Sequence, residues 1–255
     1  MTHSISMLCF WHLFLRIINI GLERWGYVPM GAAVEYQEKE AATEIEIQTP
    51  QEAATHNKRP GRAFFAVKRS LDIILSLIAG IILIVPMLLM IILIKIDSRG
   101  PAIFKQERIG KKGSVFYIYK LRTMRKDTPA YQPTGKFRES EEYLTAVGRI
   151  LRRFSLDALP QLWNVIKGDM SIIGPRPLIP NEGEIHEIRL RNGVYDVRPG
   201  ITGLAQISGR DLICDNTKAQ LDIRYVSDLS FQNEIKIFFG TIGSVIKGVG
   251  YHDGK

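Results

Sequence analysis

The residues best suited to chemistry lie in one stretch, 151–177, which reads LRRFSLDALPQLWNVIKGDMSIIGPRP and places an acid between arginines. Pro160 lacks an amide hydrogen and fits only the first turn of a helix, so it predicts a helix that begins close to Asp157. The residues that follow have the i, i+3, i+4, i+7 spacing of an apolar stripe facing a core, and they are Leu159, Leu162, Trp163 and Ile166.

Asp157 at a helix N-terminus has two interpretations. It could be an N-cap, whose carboxylate accepts an amide hydrogen bond from the first helical turn. It could also be a nucleophile for phosphorus, since the helix dipole and neighbouring arginines keep a carboxylate ionised. The local sequence leaves both interpretations open.

Arginines flank this acid on both sides. A helix predicted over 141–153 leads directly into Asp157, and its three arginines share one face by their i, i+3, i+4 spacing, namely Arg149, Arg152 and Arg153. Downstream, the prolines of GPRP at 174–177 hold Arg176 in an extended segment, which lowers the entropy cost of binding an anion. Arg152 and Arg176 are therefore candidates for a phosphate clamp, although an arginine cluster is more often a solvated face.

A second segment, RPGITGLAQISGRD at 198–211, repeats this pattern with Arg198 before a proline and with Arg210 near its end. It contains three glycines, so its backbone is expected to approach a ligand closely. Ordinary turns are also rich in glycine, and the segment alone does not distinguish the two.

The chain is basic, and its charge is uneven. The net charge is +8, and residues 64–255 carry 28 Lys and Arg against 19 Asp and Glu. Such a body predicts an anionic partner. Nucleic acid is disfavoured as that partner, because no stacking aromatics or reading helix accompany the charge. The two cysteines, Cys9 and Cys214, are too far apart in sequence to indicate a zinc site and fit a reducing compartment.

The run 73–93 is uncharged and long enough to cross a bilayer. Two features favour a re-entrant helix-break-helix instead. Pro86 interrupts the hydrogen-bond ladder inside the run, and both flanks are basic, with Lys68 and Arg69 before it, so no crossing direction is preferred. Lys68 and Arg69 are expected to contact lipid headgroups, and Ser76 to satisfy carbonyls that the break frees.

Weaker patterns complete the chain. Residues 7–22 are compatible with an interfacial helix, a span or a gene-model artefact that precedes a start at Met30, and 31–57 with a flexible acidic tail. Short β-type runs at 102–104 and 115–119 predict a hairpin whose many lysines mostly face solvent or headgroups. Residues 127–140 predict a mobile loop, and 231–249 an amphipathic helix that lies on a membrane or packs on the core.

Long motifs in this order carry a family resemblance: KRSLD before the apolar run, then GPAIFKQERIG, FYIYKLRTM, SLDALPQLWNVIKGDMSIIGPRP and VRPGITGLAQISGRD. Over about 66–246 the chain resembles the bacterial sugar transferases known as monotopic phosphoglycosyl transferases. The resemblance implies transfer of sugar-1-phosphate from a UDP-sugar to polyprenyl (undecaprenyl) phosphate, with release of UMP. It places that reaction at the cytoplasmic face of the bacterial inner membrane, in the synthesis of a surface glycan such as exopolysaccharide, capsule or lipopolysaccharide.

In that family an Asp-Glu pair in SLDELPQ supplies the nucleophile and works with Mg²⁺. Asp157 matches the nucleophile, but Ala158 stands at the Glu position and can neither ligate a metal nor move a proton. Asp169 and Glu107 are the candidate substitutes, and Asp157 with Asp169 is the expected metal pair. The resemblance further implies that basic positions bind substrate phosphate, here Arg152, Arg176 and Arg198 with Arg210. Val85 replaces a serine that usually precedes the helix-breaking proline.

The sequence thus predicts a mostly helical α+β, monotopic membrane protein with a proline-broken re-entrant helix, a small β-hairpin and interfacial amphipathic helices. The predicted organisation is an N-terminal extension (1–62), a membrane helix (63–98) and a catalytic domain (99–255). The alternative to an active enzyme is a weak or inactive homologue that binds phosphate ligands at the membrane. The sugar is not readable, and a homodimer is left open.

Overall fold

The structure, a computed structural model, describes residues 60–126, 128, 143–209 and 214–247. The helices in these ranges are α1 Arg62–Asp97, α2 Ala146–Arg153, α3 Gln161–Lys167, α4 Glu184–Arg191, α5 Leu204–Ser208, α6 Asp215–Ser227 and α7 Phe231–Lys247. The strands are β1 Ile103–Ile109, β2 Val115–Leu121, β3 Ser171–Ile173 and β4 Gly200–Thr202. A mostly helical chain with a small hairpin and one long apolar helix was predicted, and this is confirmed. The interpretations of 1–59, of the loop 127–140 apart from 128, and of Arg210 lie outside the described residues.

Helix α1 is the one helix in the described ranges that is long and apolar enough to cross a membrane. Its 36 residues extend about 54 Å, against roughly 30 Å for the hydrocarbon core of a bilayer. Its middle is open to its surroundings, since Ile81 and Ile82 are 74% and 67% exposed. Pro86 lies inside one helical element, so the re-entrant course stays a prediction. Ser76 does not satisfy freed carbonyls, because its buried hydroxyl has no hydrogen-bond partner among the described residues.

Both ends of α1 are fixed to the same body. Near its start, Asp72 accepts hydrogen bonds from the Ser171 hydroxyl at 2.7 Å and from the Ile172 amide at 3.1 Å. At its end, the Arg122 guanidinium donates to the carbonyl of Ser98 at 2.6 Å and to that of Ile94 at 3.3 Å, and so supplies donors at the helix C-terminus. Ile94 then packs with residues of β2 and α2 in a small core.

The predicted hairpin is confirmed, with β1 and β2 antiparallel and in the register Phe104↔Lys120 and Arg108↔Phe116. Helix α3 packs on it through Asn164, whose side chain donates to the Tyr117 carbonyl at 2.7 Å and accepts from the Tyr119 amide at 3.1 Å. This contact corrects the predicted orientation of α3. Its buried residues are Gln161, Asn164 and Val165, whereas Trp163 of the apolar stripe is 58% exposed.

Glycines bring two segments into backbone contact. Strands β3 and β4 are parallel, and a Cβ on Gly200 would lie 2.1 Å from the Gly174 nitrogen. A Cβ on Gly203 would lie 2.1 Å from the Gly174 carbonyl oxygen. Gly200 and Gly203 thus approach the GPRP segment, and the expected close approach of 198–211 to a ligand stays a prediction.

The C-terminal helices complete the core. Tyr225 of α6 and Ile237 of α7 are both 1% exposed and pack with Ile173 of β3. Helix α7 agrees closely with the predicted range. Its outer face keeps large apolar side chains exposed, among them Phe238 and Phe239 at 43% and 55%.

Candidate active site

Asp157 lies in a strained turn ahead of α3. Ser155 adopts a left-handed conformation, φ 57° and ψ 21°, which costs a non-glycine residue roughly 1–2 kcal/mol. A single 3₁₀ turn, Leu156–Ala158, follows it. Pro160 occupies the N-cap position of α3 with no side-chain cap. The N-cap interpretation of Asp157 is therefore wrong, and its carboxylate is left for another role.

The Asp157 side chain is buried, at 8% exposure. Its Oδ1 atom has no hydrogen-bond partner among the described residues. A buried carboxylate oxygen without a partner is costly, so such an atom calls for a ligand or a chemical role.

Lys120 shares an electrostatic environment with this carboxylate. Lys120 of β2 is half-buried, and burial lowers its pKa from 10.5 to about 8. The nearby Asp157 charge opposes that fall, whereas the charges of Arg176, Arg108 and Arg152 add to it. One acid and four cations thus share one electrostatic environment, which favours an incoming group with several negative charges.

Separate elements deliver these cations. Arg108 and Lys120 lie on the same face of the hairpin, because their positions alternate in step along paired strands. Arg152 comes from the last turn of α2, which ends shortly before Asp157. Helix α2 begins at Ala146 rather than at the predicted 141, because Thr145 caps it by accepting a hydrogen bond from the Gly148 amide at 2.9 Å.

Arg176 is held through its main chain. Its carbonyl accepts a hydrogen bond of 2.7 Å from Arg189 of α4, and Arg189 forms a fully buried ion pair with Asp222 of α6. Burial raises the pKa of Asp222 to about 6, while Arg189 and the Arg176 amide oppose the rise. The carboxylate is therefore ionised at neutral pH. The pair is a rigid support for the displayed arginine.

Other predicted site residues lie elsewhere. Asp169 follows α3 at the end opposite to Asp157, where it pairs with Lys167 at 3.1 Å. Seven helical residues separate the two acids, about 10 Å along the axis, so they do not share a metal ion in this arrangement. Arg198 also lies at that far end and donates to the Gly168 carbonyl at 2.8 Å.

Glu107 is on the hairpin face away from Lys120, because it occupies the alternate position of β1. There its carboxylate accepts a hydrogen bond of 2.9 Å from the Tyr117 hydroxyl. The structure thus brings neither candidate substitute to Asp157. The neighbour Ala158 is half-buried, and no group of three His, Cys, Asp or Glu residues within the described ranges forms a metal cluster.

The basic residues at the start of α1 make contacts within the protein. Lys68 forms an ion pair with Glu234 of α7. Arg69 donates to the carbonyls of Ile166 and Met170 at 3.2 and 3.4 Å. These contacts fasten α1 to the body, and any headgroup contact would come in addition.

Lys120 and Arg108 were missed as site residues, since the sequence placed them among many surface cations. The available signal was weak. Along β2, Lys120 alternates in step with the buried Phe116 and Ile118, and Arg108 of β1 pairs directly with Phe116. Both cations therefore lie on the inward face of the hairpin.

Among the described residues, a buried carboxylate oxygen of Asp157 has no hydrogen-bond partner, Lys120 and three arginines lie within its electrostatic environment, and the fold includes one long apolar helix. These features are compatible with a membrane-associated protein that binds an anionic substrate. The chain belongs to the bacterial sugar transferase family, whose model matches residues 63–248. The resemblance seen in the motifs is thereby confirmed.

Three relatives illustrate the range of the family. The galactosyl transferase CpsE of Streptococcus agalactiae is 38% identical over 194 residues, covering 72% of this chain and 43% of the relative. The exopolysaccharide production protein ExoY of Sinorhizobium fredii is 38% identical, covering 70% and 84%. The UDP-glucose:undecaprenyl-phosphate glucose-1-phosphate transferase of Caulobacter vibrioides is 37% identical, covering 70% and 69%. The chain thus spans less than half of the streptococcal relative and more than two thirds of the other two.

Proposed function

We propose that this protein transfers sugar-1-phosphate from a UDP-sugar to polyprenyl phosphate and releases UMP, as the first step of a surface glycan. The observation that carries the proposal is the buried Oδ1 of Asp157, which has no hydrogen-bond partner among the described residues and whose charge acts on Lys120 together with the charges of three arginines. A nucleophile must have a free lone pair, and a diphosphate donor needs several positive charges around it.

The chemistry proceeds in two displacements. Asp157 attacks the β-phosphorus of the UDP-sugar, a bond forms between the carboxylate oxygen and phosphorus, and the bond to the bridging oxygen breaks. UMP leaves with that electron pair. A phosphate oxygen of the polyprenyl phosphate then attacks the same phosphorus and displaces Asp157, giving a polyprenyl diphosphate sugar and the free carboxylate.

The four cations stabilise charge in both steps. Lys120 and Arg152 lie on elements that border Asp157 in the chain or in the fold, and Arg176 is displayed between two buried prolines. We assign Lys120, Arg108, Arg152 and Arg176 to the phosphates, where they neutralise the oxygens as charge shifts towards the leaving group. The Arg210 side chain keeps its predicted phosphate role as a proposal.

Mg²⁺ fits this site through one protein ligand. The Asp157 carboxylate would hold the ion through the oxygen that does not attack phosphorus, since Mg²⁺ is commonly held by one or two carboxylates together with substrate phosphates. The ion would polarise the donor diphosphate when bound. Asp169 is not assigned to it, because that carboxylate pairs with Lys167.

The membrane arrangement proposed is monotopic, on the cytoplasmic face of the inner membrane. Both ends of α1 contact one body, and the described ranges hold no second helix that could cross a membrane. If α1 crossed, that body would have to contact the helix on both sides of the bilayer. A helix that enters and leaves the membrane on one face needs contacts on that face only. This reasoning favours the predicted role of Pro86 as the break in α1. The exposed apolar face of α7 suits the same membrane surface.

The test is UMP release by the purified full chain with UDP-sugars, Mg²⁺ and undecaprenyl phosphate. Asp157→Asn is expected to abolish release, whereas the matched variant Asp169→Asn, at the other end of α3, retains it. If the native chain releases no UMP with any sugar and Ala158→Glu restores release, the chain is the inactive homologue. Unchanged release by Asp157→Asn would overturn the nucleophile assignment.

A further inference from the structure

A second cationic cleft lies where α1 meets the body. It is lined by four cations and by an apolar wall, and these residues are Lys68, Arg69, Lys111 and Arg198 with Phe65, Val197 and Leu229. The cleft is at the far end of α3 from Asp157, because Arg69 and Arg198 contact the last turn of that helix. It is therefore separate from the proposed active site.

The polar groups of the cleft fall into two sets. Lys68 pairs with Glu234, Asp72 accepts from Ser171 and Ile172, and Arg69 donates to backbone carbonyls. These groups are structural. In contrast, the terminal nitrogens of Arg198 and the Lys111 ammonium have no hydrogen-bond partner among the described residues.

The two free cations repel each other. Burial lowers the pKa of Lys111 first, and the charges of Arg198 and Lys112 lower it further against the opposing Asp196. Two unpaired cations held together in a partly buried cleft are costly in an empty state. Binding an oxyanion between them removes the repulsion and satisfies their donors.

We propose that Lys111 and Arg198 bind the phosphate of a membrane phospholipid, with its apolar part against Phe65 and Leu229. The cleft is small and partly open to its surroundings, so an oxyanion can reach both cations from outside the body. Phe65 lies in the first turn of α1 and is 39% exposed, and Phe231 at the start of the amphipathic α7 is 40% exposed. This edge of the body therefore presents apolar side chains to a membrane surface beside the cleft.

The position also distinguishes this lipid from the acceptor. A phosphate at the far end of α3 would be about 10 Å from Asp157 along the helix axis. Reacting atoms must approach to roughly 3–3.5 Å. The bound lipid is therefore a structural lipid that stabilises the contact of α1 with the body. Arg198 belongs to this lipid site rather than to the substrate phosphates.

The experiment is a binding titration that does not depend on turnover. Full-chain Asp157→Asn protein in dodecyl maltoside, a detergent without phosphate, is titrated with dihexanoyl phosphatidylglycerol, and binding is followed by ³¹P line broadening. Lys111→Gln is the main variant, since the Lys111 side chain makes no hydrogen bond to lose. Lys112→Gln is the matched control, because it removes the neighbouring exposed charge outside the cleft. Arg198→Gln is the second variant.

We expect the dissociation constant to rise at least tenfold in Lys111→Gln and Arg198→Gln and to stay within twofold in Lys112→Gln. Equal effects of Lys111→Gln and Lys112→Gln would overturn the proposal. Inorganic phosphate that competes at the same concentration would show a free-anion site, and farnesyl phosphate that competes better than the phospholipid would show an acceptor site. Displacement by a UDP-sugar would assign the cleft to the donor. Each of these three results contradicts a phospholipid site, and none depends on whether the protein transfers sugar.

Discussion

At the residue scale, the side chain that connects fold and function is Lys120. It sits beside Asp157, and its pKa of about 8 lies close enough to neutrality for pH to change its charge. Above about pH 8 it loses its proton, so we expect the affinity for a UDP-sugar to fall as pH rises through that value. The free energy of unfolding should instead increase as pH rises. A lysine whose folded pKa lies below its unfolded value adds to the free energy of unfolding as pH rises from about 8 towards 10.5.

Replacing this lysine should separate stability from activity. Lys120→Met is expected to raise the free energy of unfolding at pH 7 by roughly 1–3 kcal/mol, because it removes a half-buried charge that three arginines repel. UMP release should fall by about 100-fold or more, as when one preorganised charge is removed from a transition state. Denaturant unfolding and initial rates measure the two effects.

Lys105→Met, on the exposed face of the same hairpin, is the control and should change stability by less than about 0.5 kcal/mol. A loss of stability or a rate within threefold of the native rate in Lys120→Met would contradict this assignment.

The buried pair of Arg189 and Asp222 gives a second prediction at this scale. Asp222→Asn should lower the free energy of unfolding by about 3–5 kcal/mol, because Arg189 keeps a buried charge without a counterion. The double variant Arg189→Met/Asp222→Leu should recover most of that loss. Its Michaelis constant for a UDP-sugar should nevertheless stay raised, because the Arg176 carbonyl has lost the hydrogen bond from Arg189.

The matched control is the exposed pair of Arg191 and Glu187 on the same helix, with side chains 72% and 71% exposed. Its removal should cost about 0–0.5 kcal/mol and leave the Michaelis constant unchanged. If the buried double variant recovers both stability and donor affinity, the pair supports the fold alone and does not position Arg176.

At the element scale, what could be predicted depended on whether local pattern or tertiary contact decides. The hairpin and α7 follow from alternation and from helical spacing, and both are present, with β1 running five residues past the predicted end at 104. The buried face of α3 was predicted wrongly. The Asn164 side chain bonds the backbone of β2 as a neighbouring strand would, and a polar face of the helix is therefore buried. The close packing of Gly200 and Gly203 on Gly174 was not predicted, because Gly174 is remote from them in sequence. Asp157, Arg152 and Arg176 could be found from motifs, whereas Lys120 and Arg108 needed the fold.

One glycine tests how tightly α2 is placed. A Cβ on Gly148 would lie 1.9 Å from the Thr123 carbonyl oxygen, so Gly148→Ala must push α2 away from the end of β2. We expect a loss of about 1–3 kcal/mol or more in the free energy of unfolding, and slower UMP release, since Arg152 lies one turn further along α2. Gly80→Ala is the control, because nothing lies within 4 Å of its Cβ position. Thermal unfolding of both variants gives the comparison, and equal melting temperatures would show that α2 adjusts freely.

At the scale of the whole molecule, α3 separates two cationic regions. One contains Asp157 and the proposed donor site, and the other lies where α1 meets the body. Arg122 and Asp72 hold the two ends of α1 to this same body. The placement of the active site relative to the bilayer therefore depends on the path of α1, and a monotopic path is the one that puts both regions on a single membrane surface.

That path can be tested by labelling single cysteines in a Cys9→Ser/Cys214→Ser background. Ser70→Cys and Arg99→Cys flank the apolar run at exposed positions, and Ile82→Cys marks its middle. A membrane-impermeant maleimide is expected to label both flanking positions in inside-out vesicles and neither in intact spheroplasts, because a re-entrant helix returns both ends to the cytoplasmic face. The middle position should react only after detergent is added. Labelling of the two flanks from opposite sides would show that α1 crosses the bilayer, and the body would then have to contact a spanning helix at both membrane surfaces.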